Sequence, residues 1–483
     1  MLLRRRELVT GAAALGLMGF AHGQAPPNYP TPTGILTPIS QASPLGAMSL
    51  PAMAPMTPDA NTITVDSSTT YQSMNGVGAA LSGSAVYCLQ NYLTSSALTA
   101  FLTEWFTTNG SSLIRIPFGS TDFENLGAGP SYAYWTYDDV ANDTTLANFS
   151  LGSHLTTLIP VVQQILAINP AVQILASVWS PPAWIKSSAS LTSGSVTQNS
   201  TNLTFYANYL VKAIQAFAAQ GITINWLTFA NEPDNGNTGY PVCTWAASDY
   251  TNFIATYLGP ALAAAGLSTK ISVADTSSFA ESISTTVLAN STAKGYTAGL
   301  SWHAYASAPS VVASETAANP TLAAWMTEFR SLMSASIAST HTTMAQLMQG
   351  CLTAGFGGFI FWNAALDQSG NPSTVNTNRR GVVTINNSTG VISRNPEYNV
   401  LAHIGRYTPA GTKRSNCNTF ANGPGGTDVG AASFLQPSGE RAVFLYNGNA
   451  SARSIKVYDQ QRAIGFPLTM QPGDMMTVAW PGH

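Results

Sequence analysis

Two glutamates stand where acid–base chemistry could be done. Glu232 follows the apolar run Ile224–Ala230 in Asn231-Glu232-Pro233, and Glu328 ends Ala323-Ala324-Trp325-Met326-Thr327. A carboxyl at the end of a buried strand has a proton affinity that burial and neighbouring charge can tune. Two such groups face to face can break a glycosidic bond: one protonates the leaving oxygen while the other meets the anomeric carbon. Alone, Asn-Glu-Pro could be a turn after a strand. A second glutamate ending another apolar strand, about three strand–helix units later, is independent support. Other apolar runs end in useful chemistry too: Arg115 before a loop carrying Asp122, Trp179 before Ser180-Pro181-Pro182, His303 with Tyr305, and Trp362 before Asn363.

The elements that must position these groups are legible in the apolar pattern. Candidate strands are 76–81, 113–118, 172–179, 224–231, 270–276, 299–305, 323–329 and 357–362. Most are nearly continuous in apolar residues, as expected of parallel strands buried on both faces. Helical patterns separate them. Ser95 is the expected cap of a helix with Leu98, Phe101, Leu102 and Trp105 on one face, stopped by Gly110. Tyr206, Leu210, Ile214 and Phe217 line another, ending at Gly221. Only the segment after Tyr305 looks loop-like. Eight strand–helix alternations predict an α/β fold, a (β/α)8 barrel over residues 76–400, whose functional groups gather at the strands' C-terminal ends. Residues 401–483 change to short strands (442–446, 454–458, 475–480) with Gly, Asn and Pro turns, expected to form a side-packed antiparallel β-sandwich. Residues 62–75 read as a strand joining it. Nine prolines within 26–61 suggest an extended, poorly packed linker. Arg4-Arg5-Arg6, the apolar run 8–20 and the small residues 21–25 suggest a cleaved signal peptide of twin-arginine type over 1–25, and so export to the periplasm or outside the cell.

Composition narrows the partners. Only 8 % of the 483 residues are charged and the formal net charge is −3, so no dense basic patch awaits nucleic acid or an anionic membrane. A neutral sugar suits this balance, and no obligate protein partner is inferred. Cys88, Cys243, Cys351 and Cys417 form no CxxC pair and no HExxH occurs, so neither a metal nor a cofactor is expected. Free buried thiols are the expectation, with one or two disulfides left open.

In combination these motifs resemble glycoside hydrolase family 30. The likeness rests on Gly76-Val77-Gly78-Ala79-Ala80, Arg115-Ile116-Pro117, Val178-Trp179-Ser180-Pro181-Pro182-Ala183-Trp184, Asn231-Glu232-Pro233, Trp302-His303-Ala304-Tyr305 and Trp362-Asn363-Ala364. It extends through Ile404–Gly411 and covers residue 62 to the C-terminus. The resemblance implies a retaining mechanism, with Glu232 as acid/base and Glu328 as nucleophile. It also implies Asn231 on the sugar 2-hydroxyl and Asp122 gripping hydroxyls at the far end of the sugar. Trp179 and Trp362 then offer flat faces to sugar C–H groups, and Tyr305 donates to Glu328. His303 braces the same wall or is simply a structural histidine. Arg115 orients the carboxylates or pairs internally with a nearby acid. Glu232 should be raised toward ~6–7 by burial and by Glu328. The leading substrate is a glucosylceramide-like or other β-glucoside, the alternatives being β-1,6-glucan or a β-xyloside or β-fucoside. An inactive carbohydrate-binding protein is the non-enzyme reading. One departure stands out: Gly83 lies where the family commonly has aspartate.

Overall fold

The computed structural model describes residues 29–124, 134–373, 378–419 and 428–482, so the expected signal peptide lies outside them. Eight strands close into a parallel barrel: Gly76–Ala80, Leu113–Pro117, Gln173–Ser177, Trp226–Thr228, Lys270–Thr276, Thr297–His303, Ala323–Glu328 and Gly358–Phe361. Each pairs with the next in chain order. The eighth closes on the first, Gly358 opposite Gly76 and Phe361 opposite Ala79. Toward the N-terminal end the interior is plugged by Trp226 and Trp325, edge to face at 4.8 Å, among Leu113, Leu175 and Ile360. Burying one such ring contributes about 2–3 kcal/mol. Gly358 makes room for it, since a β-carbon there would collide with the Trp325 ring. With that end sealed, the polar groups collect at the other.

The helices follow the apolar pattern, with differences at their ends. Ser95–Thr103 buries Leu98, Phe101 and Leu102, but its cap is Thr94 rather than Ser95: Thr94 Oγ1 accepts from the Ala97 amide at 3.2 Å. A wider π turn over Glu104–Thr108 carries it to Gly110, whose φ of 68° suits a residue without a side chain. Ser200–Ala219 is capped by Asn199 and buries Tyr206, Leu210, Ile214 and Phe217. After the sixth strand, where the sequence looks loop-like, a 3-10 turn (Pro309–Val312) leads into a six-residue helix, Ala313–Ala318.

A ten-stranded, mostly antiparallel sheet lies beside the barrel. It folds over on itself, because one apolar cluster takes Ile63, Val443, Val457, Phe466, Val478 and Trp480 from strands spread across it. Residues 62–73 form one of its strands, antiparallel to Lys413–Cys417 and parallel to Arg453–Asp459. The proline-rich stretch departs from expectation. Its first part is packed, not a loose linker: Thr33–Thr37 pairs along Met475–Trp480 and Ile35 is buried, whereas residues 40–61 are mostly exposed with Met53 buried among them. The reason is placement, since Pro32 and Pro38 flank that strand and remove no ladder donor. Side chains then tie this segment to the barrel. His403 reaches Thr37 at 2.9 Å and Thr477 at 3.0 Å, and His341 meets Gln41 at 2.8 Å. All four cysteines are free thiols, with Cys88, Cys243 and Cys351 buried.

Candidate active site

Most of the functional side chains are delivered by the barrel strands or by the loops just after them. Just past the fourth strand the Asn231 amide donates to Val178 O (2.7 Å) and the Glu232 amide to Asp275 O (2.9 Å). Glu232 has φ 47°, in the left-handed region that costs a non-glycine residue ~1 kcal/mol. That amide bond and the following Pro233 hold it there, aiming the carboxyl inward. On the neighbouring strand Ala274 and Asp275 also have positive φ, and the register with the sixth strand slips between Ser301 and Trp302. The distortion turns Asp275 into the barrel interior.

Arg115 is fully buried and organises the floor. One guanidinium nitrogen bonds Glu328 Oε2. The other reaches Asn231 Oδ1 (2.7 Å), Ser177 Oγ (3.0 Å) and Asp275 Oδ2 (3.0 Å). Asp275 further accepts from Thr228 (2.8 Å), Ser177 (3.1 Å) and Thr327 (2.5 Å). Burial opposes its charge most strongly, yet Arg115 and His303 hold its carboxyl well below the usual range. His303 bridges the wall: Nδ1 lies 3.0 Å from Glu232 Oε1 and 3.7 Å from Glu328 Oε1, and Nε2 lies 3.4 Å from Asp275 Oδ1. Burial pushes this imidazole down, but Glu328, Asp275 and Glu232 together lift it to about 10. It is therefore an imidazolium at neutral pH. Tyr305 donates to Glu328 Oε1 at 2.6 Å.

The expected rise of Glu232 is not what this geometry gives. Burial does push its carboxyl up. The His303 hydrogen bond and charge, the Asn235 amide at 2.7 Å and Arg115 outweigh it, and the net shift is downward. Burial and Glu328 alone would raise it; the two cations, His303 and Arg115, reverse the sign. Asp122 moves the other way. Burial, Glu328 and Glu232 raise it to about 8, so it carries a proton at neutral pH.

Oxygens of Glu232 and Glu328 and a nitrogen of His303 lie within 4.8 Å of one another. Three such groups could surround a metal ion, but Arg115 already bonds Glu328 and His303 Nδ1 already faces Glu232. Above them opens a cavity of about 530 Å³. Asp122, Trp179, Asn231, Glu232, Tyr305, Glu328 and Trp362 all line it, while Arg115 and His303 lie buried beneath. Trp179 and Trp362 lean together at 5.1 Å, and Arg115 stacks under Trp179 at 4.8 Å. All nine side chains singled out in the sequence thus belong to one site. Asp275 was missed although it ends an apolar strand, the very signal that found the others. Asn235, Tyr240, Arg330 and Arg379 also line the cavity, from loops that carry no periodic pattern. Gly83 has a local explanation: a β-carbon there would collide with the Glu124 carboxyl, which fills the space.

Comparison with known proteins agrees with this geometry. Residues 74–408 match the Glycosyl hydrolase family 30 TIM-barrel domain. An endo-1,6-beta-D-glucanase of Neurospora crassa is 30 % identical over 421 residues, covering 83 % of this chain and 85 % of that one. The lysosomal acid glucosylceramidase of Mus musculus is 26 % identical over 460 residues, covering 85 % and 81 %. A solved endo-beta1,6-glucanase superposes with a TM-score of 0.83 at 28 % identity, over 94 % of this chain and all of its own. With its barrel, its strand-end carboxyls and this match in hand, the chain belongs to glycosyl hydrolase family 30 and is a glycoside hydrolase.

Proposed function

We propose that this hydrolase cleaves β-linked glucosides with net retention, through a covalent glycosyl-enzyme formed on Glu328. The observation that carries the reading is the approach of the two carboxyls. Retaining enzymes hold theirs ~5–5.5 Å apart and inverting ones ~6.5–9.5 Å, leaving room for water; here the oxygens come within 4.8 Å. Arg115 and Tyr305 hold one Glu328 oxygen each, aiming that carboxylate at the anomeric carbon. The proton that His303 Nδ1 holds against Glu232 passes through Glu232 to the leaving oxygen. Once Glu328 is esterified its negative charge is gone, and Glu232 takes a proton from the attacking water. Asn231, fixed by Arg115, meets the sugar 2-hydroxyl. Asp122 holds hydroxyls at the far side. Trp179 and Trp362 pack on the ring.

Among β-glucosides, β-1,6-glucan is the favoured substrate, supported by the relatives at 28–30 % identity, which are named as endo-1,6-glucanases. A glucosylceramide-like lipid is the second reading, supported by the 26 % identical glucosylceramidase. Export through the arginine-led N-terminus belongs to the same proposal, since polymeric glucan lies outside the cell. The test is proton NMR of the first sugar released from β-1,6-linked oligosaccharides. A β-anomer appearing first supports retention; an α-anomer appearing first defeats it.

A further inference from the structure

Glu124 is a carboxyl that the chemistry above does not use. It is 1 % exposed, in a chain where charged groups are scarce. Its carboxyl lies against the helix start at Gly83, with Oε2 filling the place a β-carbon there would take, and the nearby backbone amides of Gly83 and Thr121 favour its charged form against burial. Gly83 begins the ten-residue helix Gly83–Tyr92 that follows the first barrel strand, and Thr121 lies in the loop after the second. Between them the Ser84 amide donates to Phe123 O at 2.9 Å, and the Phe123 amide to Thr121 Oγ1 at 2.9 Å. Asp122, which lines the catalytic cavity, is thus bracketed by Thr121 and Phe123. Both are pinned, and the Glu124 carboxyl joins one side of the clamp to the other.

Gly83 does not have the positive φ that would call for glycine. What it lacks room for is a side chain, because the Glu124 carboxyl already occupies the position of its β-carbon and beyond. The two positions are therefore reciprocal: glycine at 83 exists to admit the carboxyl from 124. Burial lifts this carboxyl to about 8, and only hydrogen bonds and the nearby Asp122 modify that rise. At neutral pH it is a neutral acid, like Asp122 beside it, so the two carboxyls stand close without mutual charge repulsion.

We infer that Glu124 is a positioning residue for substrate binding: from the place a side chain at 83 would fill, its carboxyl holds the Asp122 loop against the first helix so that Asp122 meets the sugar. The inference rests on the glycosidase reading above. A hydrogen bond misplaced equally in ground and transition states raises KM and leaves kcat alone.

The test is steady-state hydrolysis of 4-nitrophenyl β-glucoside and β-1,6-linked oligosaccharides by the full chain. Glu124→Ala should raise KM about tenfold with kcat within about threefold, the loss of one good hydrogen bond. Glu124→Gln is uncharged and the same shape, and should keep KM within about twofold by the same reasoning. Adding Gly83→Asp to Glu124→Ala returns a carboxyl to the vacated space from the helix side and should recover most of the loss. Should Glu124→Ala fail to fold, Gly83→Ala carries the test, since it displaces the carboxyl while leaving Glu124 in place, and KM should rise likewise. An unchanged KM in whichever of Glu124→Ala or Gly83→Ala folds would overturn the inference while the glycosidase reading stands. So would a double variant that melts like wild type yet recovers nothing. If wild type hydrolyses no β-glucoside at all, both the reading and this inference fall.

Discussion

Replacing Arg115 by methionine would remove the cation on which the floor of the site depends. The guanidinium is fully buried and bonds Glu328, Asn231, Ser177 and Asp275. Methionine keeps a long apolar stem but leaves the Asp275 and Glu328 carboxyls buried with only His303 as counterion. Breaking a buried ion pair from one side costs about 3–5 kcal/mol. Unfolding entropy near 2.1 cal/mol/K per residue, over 483 residues, gives about 1 kcal/mol/K. If barrel and sheet unfold together, the melting temperature should fall by about 3–5 °C at pH 7. The deficit should depend on pH with a definite sign. In wild type the depressed Asp275 pKa contributes stability that is present above 3.8, its ordinary value, and is lost only as pH falls through the lower folded value. Without Arg115 the Asp275 carboxyl protonates at higher pH and relieves the strain, so the variant should approach wild type as pH drops from 7 toward 4. Differential scanning calorimetry at both pH values reads this directly. A melting temperature within 1 °C of wild type, or a deficit that stays constant with pH, would show that Arg115 does not hold the buried Asp275 charge.

Other outcomes follow from the same geometry. Glu328→Gln should keep the fold and lose roughly 10³-fold or more in kcat if, as proposed, its carboxylate bonds the sugar directly; equal slow rates in variant and wild type would return the chain to a carbohydrate-binding role. His303 is raised from 6.5 to about 10, so its imidazolium contributes stability that is complete below pH 6.5 and is lost as pH rises to 10. Urea unfolding of His303→Gln should therefore lack most of the decline that wild type shows across that window. Deleting residues 1–57 removes the strand Thr33–Thr37 and exposes Met475–Trp480 as a sheet edge. Gel filtration should then show aggregation or a lowered melting temperature, whereas a genuine linker could be cut without either.

The barrel was legible because its strands are short apolar runs buried on both faces, a pattern that needs no knowledge of partners. Its site was legible because Arg115, Trp179, Glu232, His303, Glu328 and Trp362 each sit at or near the end of such a run. Asp275 carried the same signal in Ser272-Val273-Ala274-Asp275 and could have been read. Asn235 and Tyr240 could not, because the loop after Pro233 is shaped by contacts across the rim. The direction of the Glu232 shift was hidden for a related reason: it depends on the meeting of His303, Arg115 and Asn235, far apart in the chain. Proline count misled the reading of residues 29–39, where Pro32 and Pro38 flank a paired strand, while residues 40–61 are mostly exposed as expected. The folded-over sheet was half visible. Arg441–Asn447 and Met475–Trp480 alternate or run apolar, whereas Lys413–Cys417 is polar and its pairing with 62–73 spans most of the chain.

In the proposed mechanism Glu328 bonds covalently to the sugar while Glu232 faces it as the acid. Incubation with a 2-deoxy-2-fluoro β-glucosyl fluoride, followed by peptide mapping by mass spectrometry, tests it most directly. One sugar should be found per chain, attached to the peptide carrying Glu328 and absent from Glu328→Gln. A label on Glu232 or Asp122, or time-dependent turnover of the reagent with no adduct at all, would contradict the account.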